Sequence, residues 1–300
     1  MFEFKRPRLL PRTLIALLVC TAGAFSMGLW VESGGPLRAR DSGGALTFRY
    51  PDAETLSLAG IIAAGDAQEF EIALRAGTKR VVLNSGGGDA LECMKIAKTI
   101  HARQLDIVVD GLCASGCANY LFVAAAKKTV RPWSLVVLHG GTSFSLAGLS
   151  NDAKQFAGWY AEAHQHELLA NPDRRAHSDL ELALYRQVGV DPALIHISTA
   201  IAASTGQWDY RERWWRSDHG RTVDGQYPIA KWSQSTITDA KVGWWAPPPD
   251  EMARLGIRDI ESVWFPESEL ALKFHARMLL GGHQHVNGRA LAAMTFPVIE

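Results

Sequence analysis

Three hundred residues, 47% of them hydrophobic and 21% charged, suffice for one large domain or two modest ones around a substantial core. Lys plus Arg and Asp plus Glu both number 31, so no net field draws the chain toward nucleic acid or another polyanion. No zinc-type cysteine spacing, heptad, internal repeat or low-complexity tract is present, which argues against a resident metal, another cofactor or a nucleic-acid partner.

Charge is uneven at the front. The stretch "MFEFKRPRLLPR" carries Lys5, Arg6, Arg8 and Arg12, and Thr13 to Val31 then runs nineteen residues without a charge. A basic flank before such a run fits a single-pass anchor or a cleaved secretory signal. The anchor is preferred by a small margin, because the apolar run continues past the cleavage-like "AFS" through Leu29, Trp30 and Val31. A positive flank stays cytoplasmic. The main domain is therefore expected in the periplasm, either tethered to the inner membrane by this helix or secreted.

Residues 32–44, Gly-rich and aperiodic, read as a linker. An α/β domain is expected over 45–265. Leu46, Phe48 and Tyr50 alternate as in a strand, and "LSLAGII" (56–62) reads as another. "DAQEFEIALRAG" reads as a helix with Asp66 as N-cap, Glu69 in the first turn and Gly77 as its stop. "RVVLN" (80–84) is a strand of the buried kind, followed by a Ser85-Gly86-Gly87-Gly88 turn and a helix in which Leu91, Met94, Ala97 and Ile100 recur at helical spacing. "LDIVVD" (105–110) is a third strand, "CANYLFVAAA" an apolar helix and "SLVVLH" (134–139) a fourth strand. Strands alternating with helices through short turns predict parallel crossovers. Residues 149–204 read as helical. The Trp- and Arg-rich stretch 205–235 has no period and reads as an insertion. "PPPDEMARLGI" (247–257) reads as a short Pro-capped helix, and the tail 266–300 begins helical and then loosens.

An α/β sheet collects ligands at the carboxyl ends of its strands, where two of these turns fall. The triple glycine lets backbone approach a bound group, yet it carries neither a dinucleotide fingerprint nor a P-loop. The second turn, "GLCASGC" (111–117), offers Ser115 between small residues. A nucleophilic serine needs a base in hydrogen-bond reach and donors for the developing oxyanion. His139 closes the next expected strand at the same sheet edge. Each feature alone has an ordinary structural reading: a cramped corner, a strand-end histidine, a tight turn. Together they supply a nucleophile, a base and backbone donors.

The run "VVLNSGGGDALECMKIAKTI", then "VVDGLCASGCANYLFVAAA", then "LVVLHGG" resembles the Clp-type serine protease family of the ClpP/crotonase fold. Asn84 to Gly88 is similar to that family's N-S-P-G-G turn, with Gly86 in place of proline. Gly111 to Ser115 is similar to its G-x-x-A-S nucleophile turn, and His139 to its strand-closing histidine. The likeness spans about residues 56–145, with an echo at "PPPDEMARLGI". It implies a peptidase acting on polypeptide, with Ser115 as nucleophile, His139 as general base, and amides of Gly87 or Gly88 and of Gly116 as the oxyanion hole. The cysteine-flanked serine and the basic, apolar N-terminus suggest a periplasmic, ATP-independent branch and not the cytosolic ATP-dependent protease. The resemblance also implies a third, carboxylate member. Asp239 is the leading candidate and Asp191 its rival, with a two-residue dyad or an inactive peptide-binding module as alternatives. The family's rings make a homo-oligomer a candidate assembly. In an oxidising compartment Cys113 and Cys117 either bridge across the nucleophile turn or stay as small buried hydrophobes, while Cys93 reads as core. Lys127 and Lys128 are the nearby lysines for a serine–lysine variant, which His139 makes the weaker reading. His164, His166, His283 and His285 form i, i+2 pairs, better read as solvent-facing than as metal ligands.

Overall fold

Strands β2 (Thr55–Ile62), β3 (Arg80–Gly88) and β4 (Asp106–Ala114) form the centre of a seven-stranded, mostly parallel sheet. The computed structural model describes residues 42–142, 172–205, 243–280 and 285–287, all within one unit spanning Arg38–Glu300. The expected anchor or signal over 1–31, the helical stretch over 149–170 and the insertion beyond Thr205 lie outside the described residues. Among the described residues no helix is long and apolar enough to cross a membrane.

Parallel strands covered on both faces need apolar side chains on both, which is why "VVL" and "IVV" run unbroken. Leu56, Leu58, Val81, Leu83 and Val109 are fully buried. Each such side chain contributes roughly 1.5–3 kcal/mol. Helices α1 (Asp66–Ala73) and α2 (Ala90–Ala102) make the crossovers, and α2 packs Met94, Ile96, Ala97 and Ile100 into the core. Strand β1 (Thr47–Arg49) adds antiparallel to β2.

Beyond β4 the sheet divides. Its first half pairs with β5 (Lys128–Val130), and its last three residues pair with β6 (Leu135–Val137). The cause is a bulge: Leu83 pairs with Val109, but the next register pair is Ser85 with Cys113. Asn84 Oδ1 fills the gap by accepting from the Leu112 amide at 3.0 Å. Gly111 sits beneath it at φ 123°, where a Cβ would lie 2.5 Å from Asn84 Oδ1. The glycine of "GLCAS" is therefore a space requirement.

Helices α3 (Pro172–Val188) and α4 (Ala193–Thr205) follow, then β7 (Gly243–Trp245), α5 (Pro249–Arg254), β8 (Ile260–Val263), α6 (Glu269–Leu280) and β9 (His285–Asn287). Strand β8 pairs with β5, and β7 pairs with β9 in a two-stranded sheet. Helix α6 buries Leu272, Ala276 and Leu279 against Leu112, Ala114, Leu135 and Val137.

Several expectations need correction. Gly65, at φ 94°, caps α1, while Asp66 turns its carboxylate back to the Ala63 amide; the helix ends at Ala73, short of Gly77. Residues 85–88 continue strand β3 instead of leaving it as a turn, because Gly87 and Gly88 stay in register with Ile61 and Ile62. Cys117–Phe122 winds as a π-helix, not an α-helix. Strands β5, β7 and β8, each three or four residues long, carried too little pattern to be expected.

Candidate active site

Ser115 stands where β4 turns into the π-helix, with φ 53° in the left-handed region. A non-glycine residue there stores on the order of 1–3 kcal/mol of strain, which its surroundings must hold. The Ser115 amide donates to the Val137 carbonyl at 3.1 Å, and the Ser115 carbonyl accepts from the Asn119 amide at 2.8 Å. Cys113 and Cys117 are joined by a disulfide with Cα atoms 5.2 Å apart, closing a short loop around the serine. Both sulfurs are buried, while Ser115 itself is half-buried. The turn is built to present one hydroxyl.

His139 follows β6, which lies alongside the end of β4. That pairing brings His139 Nε2 to 2.7 Å from Ser115 Oγ. Burial pushes the imidazole down to about 4, against a smaller opposing pull from a hydrogen bond to its own backbone. The ring is thus neutral near pH 7, and with the proton on Nδ1 its Nε2 accepts from the serine hydroxyl. Trp244 packs edge-on to the imidazole at 4.7 Å between ring centroids. Reciprocal 2.8 Å backbone bonds between Leu138 and Trp245 hold it there. The buried Trp244 indole N–H meets no acceptor among the described residues.

The triple glycine lies directly against this turn. A Cβ on Gly87 would come within 2.8 Å of Ser115 Cβ and within 2.7 Å of the Gly116 nitrogen. The Gly87 amide already donates to Ser85 Oγ at 3.1 Å, and Ser85 Oγ in turn donates to the Gly60 carbonyl at 2.6 Å. To receive an oxyanion, that amide must share or leave Ser85. Gly88 continues the ladder opposite Ile62. Gly116 opens the helical segment, where leading N–H groups lack an acceptor within the helix. Its own Cβ position is filled by Cys93 Sγ at 2.6 Å.

Of the two carboxylates considered for the third position, Asp239 lies outside the described residues. Asp191 accepts from the Ala193 amide at 2.8 Å at the start of α4, and its charge acts on His196. Lys128 Nζ is bound by the carbonyls of Ala125 and Arg258, and Lys127 pairs with Glu261, so both lysines serve the β5–β8 edge. Among the described residues no group of three His, Cys, Asp or Glu is arranged to hold a metal ion. His285 lies in β9, and the other three paired histidines fall outside the described residues.

Sequence reasoning missed Asn119, Ser85 and Trp244. Asn119 carried a signal: a polar residue in the apolar run "CANYLFVAAA" needs a buried partner. It finds one in the Gly140 carbonyl, to which its Nδ2 donates at 2.6 Å, tying the serine turn to the residue after His139. Ser85 and Trp244 carried none, since their contacts depend on the bulge and on the Leu138–Trp245 bridge.

No family model matches the chain, and no curated protein matches it.

Proposed function

We propose that the chain is a serine hydrolase, a ClpP-like peptidase that cleaves polypeptide through an acyl-enzyme without ATP. The observation that carries this reading is the 2.7 Å approach of His139 Nε2 to Ser115 Oγ, at a strained strand-to-helix turn. In this reading His139 takes the hydroxyl proton as Ser115 attacks the scissile carbonyl, and later returns it to the leaving amine. The amide of Gly116, with that of Gly87 or Gly88, faces the oxyanion. Water then repeats the sequence to release the acid. The mostly parallel sheet and the order glycine strand, serine turn, histidine strand support a ClpP/crotonase-type fold. The Cys113–Cys117 disulfide supports the periplasmic location, whether anchored or secreted.

A fluorophosphonate probe tests the chemistry. Ser115 is expected to be labelled, Ser115→Ala to abolish labelling, and His139→Ala to reduce its rate by about 10²–10⁴-fold. Folded protein that resists the probe overturns the reading. It would favour a peptide-binding module of the same fold, a second reading prompted by an imidazole whose shift is set by burial and its own backbone, with no described carboxylate contributing.

A further inference from the structure

Behind His139 lies a buried polar network that the serine–histidine pair does not include. Residues 140–142 leave the histidine as Gly140-Gly141-Thr142, and α3 and α4 press on them from behind. A Cβ on Gly140 would lie 2.5 Å from Thr199 Oγ1 of α4, and one on Gly141 would overlap Glu181 Oε1 of α3. Glu181 is fully buried. Its Oε1 accepts from the Thr142 amide at 3.1 Å and from the Tyr120 hydroxyl, which sits on the π-helix five residues beyond Ser115. One turn further along α3, the Tyr185 hydroxyl donates to the Asn119 carbonyl at 3.0 Å.

Taking Ser115 and His139 as the hydrolytic pair, we infer that Glu181 is a positioning residue for them. One carboxylate oxygen joins the segment after the histidine to the π-helix that follows the serine, and so sets their separation. It acts on the imidazole through the backbone of residues 140–142 and does not touch the ring. Burying a carboxylate costs several kcal/mol unless it is hydrogen-bonded, so a side chain kept here for packing alone would be apolar. Among the described residues, the Tyr120 hydroxyl and the Thr142 amide offset part of that cost while fixing both halves of the site.

Two substitutions separate reach from charge. Glu181→Gln keeps the chain length and an acceptor oxygen but loses the charge; Glu181→Asp keeps the charge and withdraws it by one methylene. Positioning predicts that Glu181→Gln labels Ser115 at within about threefold of the wild-type rate, whereas Glu181→Asp falls by about 100-fold, the cost of roughly 1 Å of misplacement. The ¹⁵N resonance of His139 Nε2 reports its hydrogen bond without any turnover, and is expected to shift in Glu181→Asp alone. Normal labelling with an unshifted resonance in Glu181→Asp overturns the inference, as does a loss in Glu181→Gln that Glu181→Asp escapes. A wild-type chain that never labels overturns the hydrolase reading instead, and the resonance comparison still decides the role of Glu181.

Discussion

His139 carries an unusual combination: its Nε2 lies 2.7 Å from Ser115 Oγ, where the proposed reaction needs a base, yet its surroundings make it a weak one. Desolvation favours the neutral ring, which is the form that accepts from Ser115, so the site is poised over a wide pH range. A general base works when deprotonated, so the labelling rate is present above its pKa and lost as pH falls through it. An unperturbed histidine would give an inflection at 6.5, whereas this one is expected near 4. Measuring the fluorophosphonate rate constant from pH 3.5 to 8 checks this, with folding monitored in parallel. An inflection near 7 would instead show a carboxylate on Nδ1, and its return to low pH in Asp239→Asn would identify that partner. His139 was legible because it closes the apolar run "SLVVLH", and Ser115 because it sits in a turn of small residues just after "LDIVVD". Asp239 was proposed from an echo of a family pattern, with no local periodicity behind it.

At the scale of elements, the Ser115 turn is stabilised from three directions: the β4–β6 ladder, the π-helix and the disulfide. Removing the cross-link is the cleanest perturbation, since the ladder and helix remain. Removing the bridge returns only a little chain entropy to the unfolded state because the loop is so short, so the double variant Cys113→Ala, Cys117→Ala is expected to cost about 2 kcal/mol of stability. A typical domain has about 5–15 kcal/mol in hand, so the fold should survive. The strained φ of Ser115 loses one of its restraints, and the labelling rate should fall while the sheet stays intact. Urea denaturation beside probe kinetics measures both; equal stability with unchanged labelling would show the bridge to be dispensable. Strand β2 and helix α2 were legible because each spans eight residues or more of consistent period, whereas β4 was legible only over its apolar run and its last four residues, Gly111 to Ala114, were read as part of the following turn. The bulge at Asn84 and the division of β4 between two partners were not, because they arise from a side chain replacing a ladder bond across twenty-eight positions. The strand character of Gly87 and Gly88 was hidden for the same reason: glycine signals a turn locally, and only pairing with Ile61 and Ile62 overrides it.

For the molecule as a whole, three desolvated histidines act in one direction on stability. His139, His196 and His275 are all held below the ordinary value of 6.5, with desolvation the leading cause in each. Unfolding releases them to water, so between their folded values and 6.5 the unfolded chain binds more protons than the folded one. Stability therefore rises with pH through that window and levels off above it. Each such proton contributes a slope of about 1.4 kcal/mol per pH unit where the unfolded form is protonated and the folded form is not. Glu92 adds a lower limb: its carboxyl is depressed by Lys95 and the Ala67 amide, and the stability it confers is lost as pH falls below 4.5. His275 is the most informative of the three. It stacks on Trp133 at 4.7 Å between ring centroids, and its buried Nε2 meets no partner among the described residues. His275→Phe keeps the stacking and removes both the titration and the orphaned nitrogen. The melting temperature of the wild type is expected to be level from pH 8 to 7 and to drop between 6.5 and 5, with the variant losing one proton's share of that drop. A wild-type melting temperature that stays flat down to pH 5 would mean that these imidazoles reach water in the folded state, and the low inflection expected for His139 would fail with it.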